Sequence, residues 1–265
     1  TMQYGNFTDE GRAFVIHTPY TPTPWTNKLF NDEFHIDVTQ RLEGGGVLMS
    51  PDFSNAPFNR PQNRFYLNVD GRCYALCRGQ GDSYLCEHRL YQTQVTEVFG
   101  DLTVTLRIFV PVSGQREYWT ATLYNAGEAK NVSLFAAFAF QNPGYMAYSS
   151  QYSEQGHYIY YTGFPYYVQY EDKEKVAGRQ NYRYILSSAR PDTYEGNEQR
   201  FFGCDDDSVM PIAVQNNRCE NGCGEIESCI GAMQHKIKLE NGVEKTVHYV
   251  VGLEKTKQEV ENLAK

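Results

Sequence analysis

The segment Leu102-Thr103-Val104-Thr105-Leu106-Arg107-Ile108-Phe109-Val110 carries an apolar residue at every second position, starting from Leu102. Thr103, Thr105 and Arg107 occupy the alternate positions. Successive side chains of a β-strand point to opposite faces of the sheet, so this alternation predicts a strand with one buried and one exposed face. We therefore expect the chain to be built around half-buried strands.

Two further strand patterns follow this segment after short connections. The first runs from Trp119 to Tyr124 and ends at a turn over Asn125-Ala126-Gly127. The second places apolar residues at Val132, Leu134, Ala136, Phe138 and Phe140. Three strands joined by short turns predict an antiparallel meander.

Two dipeptides elsewhere have the composition of tight hairpin turns. Asp70-Gly71 and Asn241-Gly242 each separate two apolar runs, and both suit turns that require positive φ angles. The runs that they separate are 65–69 and 72–76 for the first turn, and 237–239 and 247–251 for the second. Additional strands are expected near residues 158–161, 166–170 and 182–187.

A helical pattern is found only at the end of the chain. Residues 258–265 are good helix formers, with Val260 and Leu263 on one face. Many short strands with turn signals between them predict an all-β fold of packed antiparallel sheets with a short C-terminal helix. We assign residues 1–255 to one β-sandwich domain and residues 256–265 to the start of a helical linker.

The composition is that of a folded protein with an unusual number of tyrosines. Of 265 residues, 41% are hydrophobic, 21% are charged and 21 are Tyr. The net charge of -8 and the absence of Lys/Arg runs argue against a nucleic-acid partner. No apolar stretch is long enough for a membrane span or fits a signal peptide. The seven cysteines, an odd number, favour free thiols, and we predict a cytoplasmic location.

Three local motifs invite a metal or phosphate site, and each has a structural alternative. Four cysteines could surround zinc, but their spacing departs from paired zinc knuckles and inert thiols are favoured. They are Cys204, Cys219, Cys223 and Cys229. The run Asp205–Asp207 lacks the alternation of a calcium loop and is interpreted as a solvated turn. The run Gly44–Gly46 lacks the lysine of a phosphate loop, so it predicts a tight turn or close backbone packing.

No catalytic constellation is recognised among the histidines and carboxylates. The six histidines lack metal-ligand spacing. The carboxylate pairs Glu87 with Glu97 and Asp101 with Glu117 could do acid-base work only if each pair shared a cleft, which the sequence does not indicate. We therefore assign no catalytic or metal-binding residue to the chain.

The order of several segments resembles glycoside hydrolase family 94, which contains inverting phosphorylases of cellobiose, chitobiose, laminaribiose and cellodextrins. The similarity extends from one end of the chain to the other. The segments that carry it are Tyr4-Gly5-Asn6-Phe7, Thr21-Pro22-Thr23-Pro24-Trp25-Thr26-Asn27, Gly44–Gly46, Phe109-Val110-Pro111, Glu117-Tyr118-Trp119, Leu123-Tyr124-Asn125, Arg200-Phe201-Phe202-Gly203, a Pro211-Ile212-Ala213-Val214 strand, Gly242–Thr246 and Val250–Leu253.

The resemblance implies an N-terminal super-sandwich similar to galactose mutarotase-like folds, followed in a parent enzyme by a helical linker and an (α/α)6 catalytic barrel. The general acid and the phosphate ligands would lie in that barrel, so no position of this chain inherits a catalytic role. Inorganic phosphate would be the co-substrate, and no cofactor is implied. The implied partners are a β-linked disaccharide or oligosaccharide, the barrel of the same chain and a second copy in a homodimer.

In such an enzyme this domain would also contribute loops to the rim of the sugar site. Gln141-Asn142-Pro143-Gly144-Tyr145 follows the strand ending at Phe140 and presents an amide and a phenol, which can bind sugar hydroxyls and rings. Asn142 and Tyr145 are the first candidates, with Gln141 beside them, although Asn-Pro-Gly is also ordinary turn chemistry. Trp25 and Asn27 are second candidates, although a Trp here also fits a core or interdomain position.

Two other functions remain open from the sequence. An autonomous carbohydrate-binding module would bind a disaccharide without any other domain. A mutarotase-like enzyme would need a histidine and a carboxylate that face one cleft. The favoured interpretation is the non-catalytic domain of a phosphorylase, with exposed apolar surface where the barrel docks.

Overall fold

A computed structural model describes residues 4–49, 56–57, 64–139, 146–165, 182–203, 209–226 and 229–264. Within these ranges the chain forms twenty strands, three short helices and a 3-10 turn. The strands are β1 (Gly5–Thr8), β2 (Ala13–Ile16), β3 (Thr26–Phe30), β4 (Phe34–Thr39), β5 (Gly44–Leu48), β6 (Ala56–Pro57), β7 (Arg64–Val69), β8 (Arg72–Ala75), β9 (Ser83–Arg89), β10 (Gln92–Phe99), β11 (Leu102–Phe109), β12 (Arg116–Asn125), β13 (Lys130–Phe138), β14 (Met146–Ser153), β15 (Tyr158–Pro165), β16 (Tyr182–Ser187), β17 (Thr193–Asn197), β18 (Gly224–Ile226), β19 (Cys229–Leu239) and β20 (Val243–Glu254). The helices are α1 (Glu198–Phe202), α2 (Ile212–Gln215) and α3 (Lys257–Leu263), and the 3-10 turn covers Asp9–Gly11.

The strands of the described ranges form three antiparallel sheets, which confirms the predicted all-β fold. The large sheet has eleven strands in the order β1-β2-β9-β10-β11-β12-β20-β16-β15-β14-β18. A five-stranded second sheet has the order β17-β19-β13-β7-β8, and a small sheet has the order β3-β4-β5-β6. One hydrophobic core contains inward-facing residues from all three sheets.

The alternating segment forms β11 as predicted. Leu102, Val104, Leu106 and Ile108 are buried, while the residues between them are half-buried on the other face. β12 pairs with β11 along its length, with Ile108 opposite Trp119. The period-two pattern therefore identifies the centre of the large sheet.

The predicted meander is wrong for β13. β12 has β20 as its second neighbour, whereas β13 pairs with β7 and β19 in the second sheet. The reason is that β13 is buried on both faces: Phe138 packs on Trp119 of the large sheet, and Phe135 packs on Phe201 of α1 on the opposite side. A strand covered on both faces needs a layer on each side, which the position beside β12 does not provide.

The two hairpin turns lie where the sequence indicated, but both strands that flank the second turn, β19 and β20, are longer than predicted. Asp70 and Gly71 both have positive φ, at 48° and 91°, between β7 and β8. The turn after β19 uses Gly242 at φ 72°, and β20 already begins at Val243. The expected strands at 158–161 and 182–187 are present as β15 and β16, whereas residues 166–170 lie outside the described residues.

The predicted Pro211–Val214 strand is wrong, because Ile212–Gln215 form helix α2. The backbone carbonyl of Pro211 accepts hydrogen bonds from the N–H groups of Val214 and Gln215, which closes one helical turn. Ala213 and Val214 are buried in the cluster that covers the outer face of β13. Four apolar residues can form a strand or one turn of helix, and the packing decided the outcome here.

The glycine run Gly44–Gly46 lies in strand β5 and allows close backbone packing, one of its two predicted roles. A Cβ atom at Gly44 would overlap the carbonyl oxygen of Asp37 on β4. The C-terminal helix is also present. The Thr256 side chain caps it and Glu259 completes the capping box, while Val260 is fully buried against Tyr158 and Tyr184. No helix in the described ranges is both long and apolar enough to cross a membrane.

Candidate functional site

The sugar-site candidates Gln141, Asn142 and Tyr145 lie outside the described residues, so their position is given only by the strands on either side. β13 precedes them and ends at Phe138, whose ring packs on Trp119 near the start of β12. β14 follows them and begins at Met146. Their segment therefore joins the second sheet to the large sheet.

The same end of the large sheet collects several other strand ends, and we call it the loop end. Arg116, which begins β12, lies opposite Gly252, and Tyr182, which begins β16, lies opposite Glu254 at the end of β20. Met146 lies opposite Pro165 at the end of β15. Connections from several strands therefore emerge together at one end of the sandwich, which is a common location for binding residues.

Asn31 joins two turns at the loop end. Its amide nitrogen donates to the backbone carbonyls of Pro111 and Gly114, each at 2.9 Å. Its amide oxygen accepts the N–H groups of Glu33 and Phe34, each at 2.8 Å. This buried side chain therefore fixes the turn between β3 and β4 against the turn between β11 and β12.

Glu117 is a buried carboxyl group near the start of β12. It is fully shielded from solvent, and the indole N–H of Trp119 donates to it at 3.0 Å. Burial raises the pKa of Glu117 to about 7, and the hydrogen bond from Trp119 opposes that rise. Asp101 precedes β11 at the opposite end of that strand, so these two carboxylates do not share a cleft.

The other carboxylates of interest have structural partners. Glu97 is buried and accepts the N–H groups of Cys77 and Gly79, while Glu87 pairs with Arg89 at 3.0 Å. At the loop end Arg116 and Glu254 form an ion pair at 3.4 Å. Burial raises the pKa of Glu254, whereas the Arg116 guanidinium lowers it.

Trp25 and Asn27 tie the small sheet to the large sheet. The ring of Trp25 packs on Phe14, with the ring centroids 5.4 Å apart. The amide nitrogen of Asn27 donates to the carbonyl of Arg89 at 2.7 Å and the hydroxyl of Thr93 at 3.1 Å. These contacts describe a structural role for both residues, and their sugar-binding role stays a prediction.

Two histidines, the half-buried His88 and the buried His235, bond to hydroxyl groups and backbone carbonyls. His88 contacts the Thr93 hydroxyl, and His235 contacts the hydroxyls of Ser187 and Tyr249. Burial lowers the pKa of both imidazoles. Over the part of the chain that the structure describes, no histidine hydrogen-bonds to a carboxylate.

The cysteines that suggested a zinc site lie in different environments. Cys219 and Cys229 are buried, and burial raises their thiol pKa values to about 12 and about 11. Cys223 is exposed, and Cys204 and Asp205–Asp207 lie outside the described residues. The described residues contain no group of three or more potential metal ligands close enough to hold an ion.

The sequence named Glu117 only as a possible partner of Asp101, and its burial was not anticipated. The alternation of Trp119, Ala121 and Leu123 could have indicated it, because it places Glu117 on the buried face of β12. Asn31 had no signal for its two carbonyl partners, since Pro111 and Gly114 lie on a turn far away in sequence.

Comparison with known proteins adds an independent result. Residues 12–265 match the family described as glycosyl hydrolase 94, supersandwich domain. The chain is 34% identical over 264 residues to a 3-O-β-D-glucopyranosyl-β-D-glucuronide phosphorylase of Paenibacillus borealis, covering 97% of this chain and 34% of that protein. It is 25% identical to an N,N'-diacetylchitobiose phosphorylase of Vibrio proteolyticus, covering 96% of this chain and again 34% of the relative.

A solved structure has the same fold. It comes from the human microbiome and is assigned as a kojibiose phosphorylase; the TM-score is 0.57 at 9% identity, covering 98% of this chain and 35% of that one. The chain thus spans about a third of the length of the phosphorylases that it matches. With its three-sheet architecture and the family match over nearly all of its length, the chain belongs to glycosyl hydrolase family 94, as a supersandwich domain.

Proposed function

We propose that this chain is the non-catalytic N-terminal domain of an inverting phosphorylase that acts on a β-linked disaccharide or oligosaccharide. The observation that carries the proposal is that the chain aligns with about a third of the length of relatives that are named as phosphorylases. The remaining length would hold the (α/α)6 catalytic domain, with inorganic phosphate as co-substrate and no other cofactor. The six described cysteines are free thiols, which supports a cytoplasmic location.

The loop end is the surface that we propose for docking the catalytic domain. Large apolar side chains are exposed there, on the turns and strand ends that flank Asn31 and Arg116. They are Phe7 (70% exposed), Phe30 (71%), Met49 (37%), Leu90 (90%), Tyr91 (65%) and Val112 (97%). Exposed apolar groups gathered at one end of a domain favour a protein interface. A homodimer contact on the same domain remains a further proposal.

The rim of the sugar site is proposed to include Asn142 and Tyr145, with Gln141 beside them. The strand that follows them, β14, begins at the loop end, so their segment would reach the catalytic domain docked there. Trp25 and Asn27 are secondary candidates. An autonomous carbohydrate-binding module is the alternative, favoured by the tyrosine content, and a mutarotase-like enzyme ranks below it.

Phosphorolysis tests the proposed function. The protein that joins this chain to its catalytic domain is incubated with phosphate and, in parallel, with 3-O-glucosyl-glucuronide, cellobiose, laminaribiose or chitobiose. We expect release of a sugar 1-phosphate from at least one of them, and none from this chain alone. Sugar 1-phosphate release by this chain alone, or none by the longer protein with any disaccharide, would contradict the proposal.

The rim proposal has its own test in the longer protein. Asn142→Ala and Tyr145→Ala should each raise the acceptor-sugar KM about tenfold, since a lost hydrogen bond or ring contact is worth about 1 kcal/mol or slightly more. The matched control is Asn241→Ala, on the turn between β19 and β20. Unchanged KM and kcat in both rim variants would exclude the rim role.

A further inference from the structure

A cavity lies away from the loop end, beside the turn between β14 and β15. Its volume is about 330 Å³, which is within the range of small-molecule pockets. It is lined by residues of that turn, of the connection between β16 and β17, and of the segment before β18. They include Tyr152, Glu154, Arg190, Asp192, Tyr194 and Asn221, and we call it the tyrosine cavity.

Two tyrosine rings form one wall of the tyrosine cavity. Tyr152 and Tyr194 are stacked with centroids 4.0 Å apart and an angle of 19° between the ring planes. Both are half-buried and pack on the main core, so the wall is fixed. Burial raises the pKa of Tyr152 to about 12 and also raises that of Tyr194, so both hydroxyls remain neutral donors and acceptors at neutral pH.

Polar groups of both signs line the rest of the cavity. Arg190 and Glu154 face each other at 3.5 Å, and both side chains are exposed, at 69% and 67%. Asp192 is held in place because one of its oxygens accepts the backbone N–H of Lys236 at 2.7 Å. Asn221 is fixed because its side-chain oxygen accepts the backbone N–H of Tyr194 at 2.9 Å. Its amide nitrogen has no hydrogen bond among the described residues.

This combination selects a class of ligand. Tyrosine hydroxyls and ring edges beside amide, carboxylate and guanidinium groups suit a molecule that carries many hydroxyls. The two carboxylates outnumber the single guanidinium in the cavity, which disfavours an anionic ligand. Another cavity of about 400 Å³, lined by residues of β7, β13 and β19, contains two lysines and no tyrosine hydroxyl.

We propose that the tyrosine cavity is a binding site for a neutral saccharide, separate from the sugar-site rim at the loop end. The site lies at the end of β14 opposite Met146, where the loop-end segment joins that strand. It would hold a neutral glucan or oligosaccharide on the domain while the catalytic domain acts elsewhere. This binding function goes beyond the proposed support of a phosphorylase.

The test is titration of this chain with cellotetraose and laminaritetraose, followed by calorimetry and by NMR of backbone amides. We expect one of the two to bind, with shifts at Tyr152, Tyr194 and Asn221. Tyr194→Ala should weaken binding about tenfold, as the loss of a ring contact predicts. Arg190→Gln, an exposed position that should not disturb folding, should weaken it several-fold. Glucuronate should bind at least tenfold more weakly than the neutral sugar.

The matched controls lie away from this cavity. Tyr124→Ala removes a partly exposed tyrosine on β12 and should leave the affinity unchanged, as should Asn241→Ala on the turn between β19 and β20. The proposal is overturned if neither tetrasaccharide binds, or if binding survives both Tyr194→Ala and Arg190→Gln. Either result would leave phosphorolysis by the longer protein unaffected, so failure here is distinguishable from failure of the proposed function.

Discussion

The loop end and the tyrosine cavity use polar and apolar side chains in opposite ways. At the loop end, Asn31 and Glu117 are buried and Val112 is almost fully exposed. At the tyrosine cavity, Tyr152 and Tyr194 are half-buried, while Arg190 and Glu154 extend into solvent. Under the function that we propose, the catalytic domain would cover the loop end, while the cavity would remain open to water.

The largest expected loss of folding stability comes from substituting Asn31. Asn31→Ala removes four hydrogen bonds, one to the buried N–H of Phe34 and three to partly buried backbone groups, so we expect the free energy of unfolding to fall by about 3 kcal/mol. Urea denaturation measures it. The matched control Asn262→Ala, on the exposed side of α3, should change stability by less than about 0.5 kcal/mol. Equal effects of the two substitutions would show that Asn31 does not fix the turns.

The second-largest expected effect is a dependence of folding stability on pH that comes from Glu117. Its folded-state pKa of about 7 lies above the ordinary value of 4.5, so between these values the folded protein keeps a proton that the unfolded chain has lost. Stability is therefore full below about pH 4.5 and falls as pH rises towards 7, by roughly 2 to 3 kcal/mol.

Glu117→Gln should remove that fall while keeping the oxygen that accepts the Trp119 indole N–H. Urea denaturation at several pH values from 4.5 to 8 compares it with the exposed control Glu244→Gln. A Glu117→Gln curve with the same slope as the unsubstituted chain would assign the pH dependence to other groups.

A smaller effect is expected at Asn27, where structural and sugar-binding roles make different predictions. Its amide nitrogen bonds to Arg89 and Thr93, so Asn27→Ala should lower stability by about 1 to 2 kcal/mol. A sugar-binding role predicts instead a higher acceptor-sugar KM in the longer protein with stability unchanged. Thermal unfolding together with KM decides between them, and Asn241→Ala serves again as the control.

The smallest change in folding stability is expected from a substitution at the tyrosine cavity. The ion pair of Arg190 with Glu154 is largely exposed, so Arg190→Gln should change the free energy of unfolding by less than about 0.5 kcal/mol. Urea denaturation beside the Asn31→Ala variant shows the contrast directly. A loss as large as that of Asn31→Ala would mean that the cavity, like the loop end, uses its polar groups for folding.

The sequence predicted those parts of the fold that depend on local patterns. The alternation gave β11, Asp70-Gly71 gave its hairpin, and the helix after Thr256 followed from its composition. The partners of β13 were not predictable, because a run buried on both faces has the same pattern whichever sheet it joins. Helix α2 was missed since four apolar residues do not distinguish a strand from one helical turn.

The functional sites were predictable to a lesser degree. The resemblance implied loops at the rim of a sugar site, and the amide and phenol around Asn142 made that segment the first candidate, but it lies outside the described residues. Tyr152 and Tyr194 come from different strands, and neither is distinguished in sequence from the other tyrosines. Their stacking depends on how β14 and β17 meet at the junction of two sheets, which only the tertiary structure shows.

The central claim is that the loop end is the face that another domain covers. Hydrogen–deuterium exchange tests it most directly, by comparing this chain alone with the same chain joined to its catalytic domain. The account predicts slower exchange in the joined protein at the turns that carry Leu90, Tyr91 and Val112, and unchanged exchange around Tyr152 and Tyr194. Protection of the tyrosine cavity with no change at those turns would contradict it.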